Sequence, residues 1–275
     1  MKKVCNICPH KCELQEGQLG FCRGRICRDG EIISENYGRI TTMALDPIEK
    51  KPLYHFYPTS KILSVGSYGC NLRCPFCQNY DISMANSSEI DYGNMTCEML
   101  VEQAYELKGR GNIGIAYTYN EPLIGYEFVR DCATLAKSKG LKNVVVTNGY
   151  ICEEPLGSLL PVVDAFNIDL KGFTQEFYKA LKGDLDTVKR NIIMIADHCH
   201  IEVTTLIIPG ENDSVEEMEA LSKWLSSVNP DIPLHISRFF PRWKMQDREA
   251  TPIESINRLA DIAGRELKYV HKGNC

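Results

Sequence analysis

Residues 61–80 read KILSVGSYGCNLRCPFCQNY. A β-rich run, KILSVG, leads within a few positions to Cys70, Cys74 and Cys77, spaced C-x3-C-x2-C with no fourth cysteine beside them. A zinc site normally closes with four ligands, and simple ferredoxin clusters also take four cysteines. Three thiolates can instead hold a 4Fe-4S cluster that keeps one iron open, and an open metal position is where a small molecule binds and reacts. The competing reading is three unrelated core cysteines in a loop, or part of a zinc site.

Working outward, short β-rich runs alternate with amphipathic helical stretches, the pattern of a parallel sheet with crossover helices. Strands are expected at 61–66, 113–118 (IGIAYT), 142–147 (KNVVVT), 165–170 (AFNIDL), 201–208 (IEVTTLII) and 233–239 (PLHISRF). Helices include TCEMLVEQAYELKGR, capped by Thr96, and DSVEEMEALSKWLSSV, capped by Asp213 or Ser214. Residues 1–60 differ. They hold a cysteine-rich stretch, a hairpin signal at Asp29-Gly30, and DPIEKKPLYHFYPTS (46–60), an extended crossing into the first strand. Lys50, Lys51, Tyr54, His55, Phe56 and Tyr57 there either line a substrate approach over a barrel mouth or form a strap packed on the barrel. The expected division is 1–60 as an appended module and 61–275 as the main domain.

The 275 residues, 44% hydrophobic and 24% charged, sit at globular averages. A net charge of -5 with no Lys/Arg-rich run gives no general grip on a phosphate backbone, so a nucleic-acid partner is not expected. MKKVCNICPHKC has a basic flank but no apolar stretch after it, and no 18-residue apolar run follows anywhere, which reads as cytoplasmic with no membrane partner. Eight of the 13 cysteines fall in two groups, and in such a chain tight clusters mean metal ligation more often than disulfides. Cys97, Cys132, Cys152, Cys199 and Cys275 are scattered and read as buried small hydrophobes or idle surface thiols.

Cys5, Cys8, Cys12 and Cys22 fall at C-x2-C-x3-C-x9-C. Four thiolates can close a tetrahedral zinc site, the slightly preferred reading, or ligate a second, fully coordinated 4Fe-4S cluster. Unliganded thiols are the remaining alternative, but the segment carries too few apolar residues to order itself. Cys27 is a spare that could exchange with Cys22. Arg23 and Arg25 either balance thiolate charge or are solvated surface residues.

The signature C-x3-C-x-aromatic-C, with Phe76 as the aromatic, resembles the radical S-adenosylmethionine (SAM) superfamily. That resemblance implies a partial (β/α)6 TIM-like barrel with an N-terminal cysteine-rich extension. It also implies a 4Fe-4S cluster on Cys70, Cys74 and Cys77 whose open iron chelates the amino and carboxylate groups of SAM. One electron then cleaves SAM to methionine and a 5'-deoxyadenosyl radical, which abstracts hydrogen from a small molecule or partner protein.

At successive strand ends, where barrel chemistry gathers, the resemblance implies SAM contacts from Asn120 and Glu121 of YNEP, Thr147 and Asn148 of TNGY, Asp169 and Lys171 of DLK, and His235. Taken singly, Asp169 with Lys171 could be a rim ion pair, Asn148-Gly149 a turn and His235 a satisfied core histidine. The DLK segment and His235 are similar to pyruvate formate-lyase activating enzymes. Val146 departs from them, standing where they carry an acid for a cation site. CNICPHKC, PIEKKPLYHFYP, GCNLRCPFCQN, IAYTYNEP and EVTTLIIPGEND together resemble the AmmeMemoRadiSam radical SAM enzymes. This implies an anaerobic setting, a flavodoxin or ferredoxin as electron donor, and AMMECR- and Memo-type proteins as partners. Activation of a glycyl-radical enzyme is one alternative. A non-catalytic iron-sulfur electron-transfer protein is another.

Overall fold

A computed structural model describes residues 2–275. Its centre is an eight-stranded sheet in the spatial order Val270–Gly273, Leu234–Arg238, His200–Ile207, Ala165–Asp169, Lys142–Thr147, Asn112–Tyr117, Lys61–Gly66 and Thr42–Pro47. Every neighbouring pair is parallel except the last, in which Thr42–Pro47 runs antiparallel to Lys61–Gly66. The six expected strands are all present, with ends shifted by a residue or so, and six of the seven parallel strands are therefore those read from sequence. This is a mixed α/β fold of the partial TIM-like barrel kind.

Alternation decides what each strand face buries. Leu63, Val65, Ile115, Tyr117, Val145, Phe166, Ile168 and Val203 pack against Leu100, Val129, Ile192 and Leu221 of the surrounding helices in the main core. On the opposite, inner face, Ile62, Ala116, Val144 and Ala165 form a second cluster. Gly114 shows how closely the strands approach: a Cβ there would lie 1.8 Å from the Lys142 carbonyl oxygen. Thr96 caps Cys97–Glu106 by accepting from Met99 N. Ser214, not Asp213, caps Val215–Val228, while Asp213 accepts from Gly210 N.

The 46–60 segment is not a simple crossing. Thr42–Pro47 is an edge strand, with its proline at the end, where a missing N–H costs no ladder bond. The chain then turns inward, and Ile48, Leu53 and Phe56 fill the second cluster at the end of the barrel away from the cysteine loop. Burying each such side chain stabilises the fold by roughly 1.5–3 kcal/mol. Pro52 O accepts from Asn167 Nδ2 at 2.8 Å, and His55 Nε2 lies 2.8 Å from His271 Nε2 on the other edge strand. Of the two readings offered for these aromatics, packing is the one observed for Phe56. Lys51 is buried, pairs with Asp46 at 2.9 Å and lies 4.8 Å from the Tyr119 ring centre.

The N-terminal region is built from small pieces. Lys3–Val4 pairs with Glu13–Leu14, and Arg25–Arg28 pairs with Glu31–Ser34 across a turn in which Asp29 (φ 53°) and Gly30 (φ 75°) both take the left-handed conformation. That is the expected hairpin, with the geometry that matches strand twist. Among the described residues no helix is long and apolar enough to cross a membrane.

Candidate active site at the carboxyl ends of the strands

Leaving Gly66, the chain reaches Gly69 in the left-handed region (φ 87°) and enters the cysteine loop. Cys70 N donates to Cys22 O at 3.1 Å, Leu72 N donates to Cys70 Sγ at 3.4 Å, and Cys77 N donates to Cys74 O at 3.2 Å. Arg73 braces the loop, donating to Cys70 O at 2.7 Å and Leu72 O at 2.8 Å and stacking on Phe21. Phe76 is buried, parallel to Phe177 at 6.2 Å, so its ring serves the core under the loop.

The YNEP and TNGY segments enclose this loop. Asn120 Nδ2 donates to Tyr68 O and Gly69 O, both at 3.1 Å, and Asn120 Oδ1 accepts from Ser67 N at 3.0 Å. Glu121 Oε1 accepts from Leu123 N at 3.0 Å and from the Thr147 hydroxyl at 2.5 Å. Its Oε2 accepts from Asn148 N at 2.8 Å. Burial pushes the Glu121 carboxyl up to about 7 in spite of these donors. Asn148 Nδ2 lies 3.7 Å from Cys70 Sγ and donates to Asn71 Oδ1 at 2.9 Å. Lys171 Nζ is 2.8 Å from Asp169 Oδ2. Burial works against the Lys171 cation, but the negative charge of Asp169 and of Cys74 and Cys77 as thiolates outweighs it and holds Lys171 above its ordinary range.

The sequence-read residues Cys70, Cys74, Cys77, Asn120, Glu121, Thr147, Asn148, Asp169 and Lys171 thus form one connected neighbourhood. His235 sits in a different network. Its Nε2 lies 2.6 Å from Glu202 Oε2, while Glu202 also accepts from Tyr54 N, His55 N and His200 Nε2. Sequence reasoning missed Glu202, Asn71 and Arg73. Asn71 and Arg73 stand inside GCNLRC, and their adjacency to the cysteines was the only available signal.

Cys70, Cys74 and Cys77 are free thiols. Burial, then the charges of Glu121 and Cys74, pushes Cys70 well up, and burial pushes Cys74 up to about 12. Thiols gathered this way suit a cationic metal cluster, which takes them as thiolates and releases their protons. The donor set therefore fits a 4Fe-4S cluster, with N–H groups of Leu72 and Asn148 aimed at Cys70 sulfur as such clusters use. Among the described residues, no three His, Cys, Asp or Glu side chains converge as they would on a single ion.

The family model described as Radical SAM superfamily matches residues 64–225, which begin in the first barrel strand and include the cysteine loop. The chain belongs to the radical SAM superfamily. An uncharacterized protein of Methanocaldococcus jannaschii is 41% identical over 99% of this chain and 81% of that protein. The pyruvate formate-lyase-activating enzyme of Clostridium pasteurianum is 25% identical over 58% of this chain and 67% of its own length. Among solved structures, Streptococcus suis SuiB bound to S-adenosylmethionine has the same fold, with a TM-score of 0.61, 14% identity, and coverage of 78% of this chain and 52% of SuiB. As a radical SAM protein the chain is expected to carry a 4Fe-4S cluster and SAM.

The N-terminal cysteines also form a neighbourhood. Cys5 N donates to Cys12 O at 2.9 Å and Lys11 N donates to Cys8 O at 3.2 Å, closing a tight knuckle. Cys5, Cys8 and Cys22 are buried. Burial, then the neighbouring Cys22 and Cys5, pushes Cys8 up to about 12, and burial with Cys5 and Cys12 pushes Cys22 up to about 11. Cys27 lies in the hairpin strand, fully buried, with its sulfur 4.0 Å from Glu16 Oε2. Arg25 is no solvated residue either. It is buried and grips Glu127 with two bonds of 2.8 Å, tying the module to helix Tyr126–Ser138. Arg23 keeps the surface role, paired with Glu89 at 2.9 Å.

Proposed function

We propose that this chain is a radical SAM oxidoreductase of the AmmeMemoRadiSam type, with its SAM-cleaving 4Fe-4S cluster on Cys70, Cys74 and Cys77. The observation that carries the reading is the link from Glu121 through Asn148 to Cys70 sulfur, which joins two strand ends to a loop of three cysteines. When bound, the cluster supplies one electron to SAM, giving methionine and a 5'-deoxyadenosyl radical that takes hydrogen from a substrate. Asn120 and Asn148 hold the loop, Glu121 orients the TNG turn, and Asp169 with Lys171 flanks the cysteines; under this reading Thr147, Asn148, Asp169 and Lys171 contact SAM. Phe76 supports the loop from beneath. The reaction is oxygen-sensitive, cytoplasmic, and supplied by a flavodoxin or ferredoxin. The AMMECR- and Memo-type proteins are partners under this reading.

A second reading, activation of a glycyl-radical protein, is supported by the similarity to pyruvate formate-lyase-activating enzymes. The two are separated by substrate. Anaerobically reconstituted enzyme with dithionite and SAM is expected to yield 5'-deoxyadenosine, and SAM is expected to change the EPR signal of the reduced cluster. An unchanged signal with no 5'-deoxyadenosine would leave only the non-catalytic electron-transfer reading. Glycyl-radical peptides that raise SAM consumption above background would favour activation.

A further inference from the structure

We propose that Cys5, Cys8, Cys12 and Cys22 hold a second, fully ligated iron-sulfur cluster, connected to the barrel cysteines through the Cys22 carbonyl and the Cys70 N–H, and that a one-electron donor delivers there. This rests on the radical SAM reading of the barrel site.

The four cysteines are more than a nearby metal knuckle, because one of them touches the other set. Cys22 O accepts Cys70 N–H at 3.1 Å. Between the two sulfurs lie one cysteine side chain and its carbonyl, a single hydrogen bond, and one further cysteine backbone and side chain. The contact is built in: a Cβ on Gly69 would lie 2.5 Å from Cys22 O and 3.2 Å from Gly24 N. Only a glycine lets these two backbones meet, and it does so in a conformation other residues rarely adopt.

Other bonds hold the two sets in register. His10 Nε2 lies 2.8 Å from Asn71 O, and Cys152 N donates to Ile7 O at 2.9 Å. Asn71 Oδ1 accepts from the Asn148 amide that also reaches Cys70 sulfur. The knuckle is therefore fastened to the residues around Cys70 and to the start of helix Glu153–Leu159, while Arg25 ties the same module to helix Tyr126–Ser138. A zinc ion, which has no redox chemistry, gains nothing from that placement. A cluster gains a path. One electron leaves a reduced flavodoxin- or ferredoxin-class donor, resides at the N-terminal cluster and passes to the barrel cluster, with no bond or proton exchanged.

The test is anaerobic reconstitution of the full chain with ferrous iron and sulfide in the presence of zinc. It compares wild type, a Cys5→Ala/Cys8→Ala variant and a Cys70→Ala/Cys74→Ala/Cys77→Ala variant. The expected contents are about eight irons in wild type and about four in each variant. Reduced wild type should give an EPR spectrum broader than the sum of the two variants, from magnetic interaction between the clusters. Wild type with about four irons and one zinc overturns the proposal without needing either variant to fold, and leaves the barrel reading standing if SAM still changes the signal. Eight irons with a signal indifferent to SAM would uphold the second cluster and overturn the barrel reading instead.

Discussion

Glu121 Oε2 accepts the backbone N–H of Asn148 at 2.8 Å, tying the end of the Asn112–Tyr117 strand to the end of Lys142–Thr147. With Thr147 and Leu123 also donating to it, this carboxylate acts on the site by holding other groups in place. Glu121→Gln replaces one acceptor oxygen with an amide that meets a donor. The expected loss is roughly 1–3 kcal/mol of stability. SAM affinity should fall about tenfold, as a 1.4 kcal/mol change implies. Thermal unfolding and equilibrium binding of SAM measure the two effects.

Glu202 governs an acid-dependent part of stability. Burial raises its carboxyl, but hydrogen bonds from His200, His235, His55 N and Tyr54 N outweigh that and hold it down at about 2, against an ordinary 4.5. The folded state therefore gives up this proton more readily than the unfolded chain. Its contribution, about 3 kcal/mol by linkage, is complete above roughly pH 5 and disappears as the pH falls through 2. Urea unfolding of Glu202→Gln should show that deficit at pH 7 and a much smaller one near pH 3. An equal deficit at both would contradict the account.

Gly69→Ala should disrupt the junction between the two cysteine sets. Gly17 provides the control: it also has positive φ (76°), but a Cβ there meets nothing within 4 Å. Gly17→Ala is expected to cost about 1 kcal/mol of backbone strain, and Gly69→Ala more, because the clash with Cys22 O adds to a strain of about 1–3 kcal/mol. Calorimetry of both variants decides it, and only Gly69→Ala should lose bound iron.

Lys171→Met removes a cation that interacts with Cys74 and Cys77. Reduction adds negative charge to a thiolate-bound cluster, so the barrel cluster's midpoint potential should move more negative. An EPR-monitored redox titration reads this directly. A potential that stays put or rises would show that Lys171 serves only Asp169.

The barrel strands and the cysteine loop were legible because their signals are local. KILSVG and KNVVVT are apolar runs of strand length, and Cys70, Cys74 and Cys77 declare themselves by spacing. The edge strands were not: Thr42–Pro47 ends in proline, and Val270–Gly273 has four residues with a lysine and a glycine among them. Arg25 reads as surface charge because its partner Glu127 lies 102 positions away. Glu202 sits in a run that otherwise reads as an apolar strand, and its burial depends on Tyr54, His55 and His235, which only the folded barrel assembles. Ile48, Leu53 and Phe56 follow neither a strand nor a helix period, so nothing in their order revealed that they would fill the inner face.

Those three side chains give the partial barrel a floor. With its base filled by Ile48, Leu53 and Phe56, the partial barrel keeps its rim, where the cysteines stand, as the opposite end.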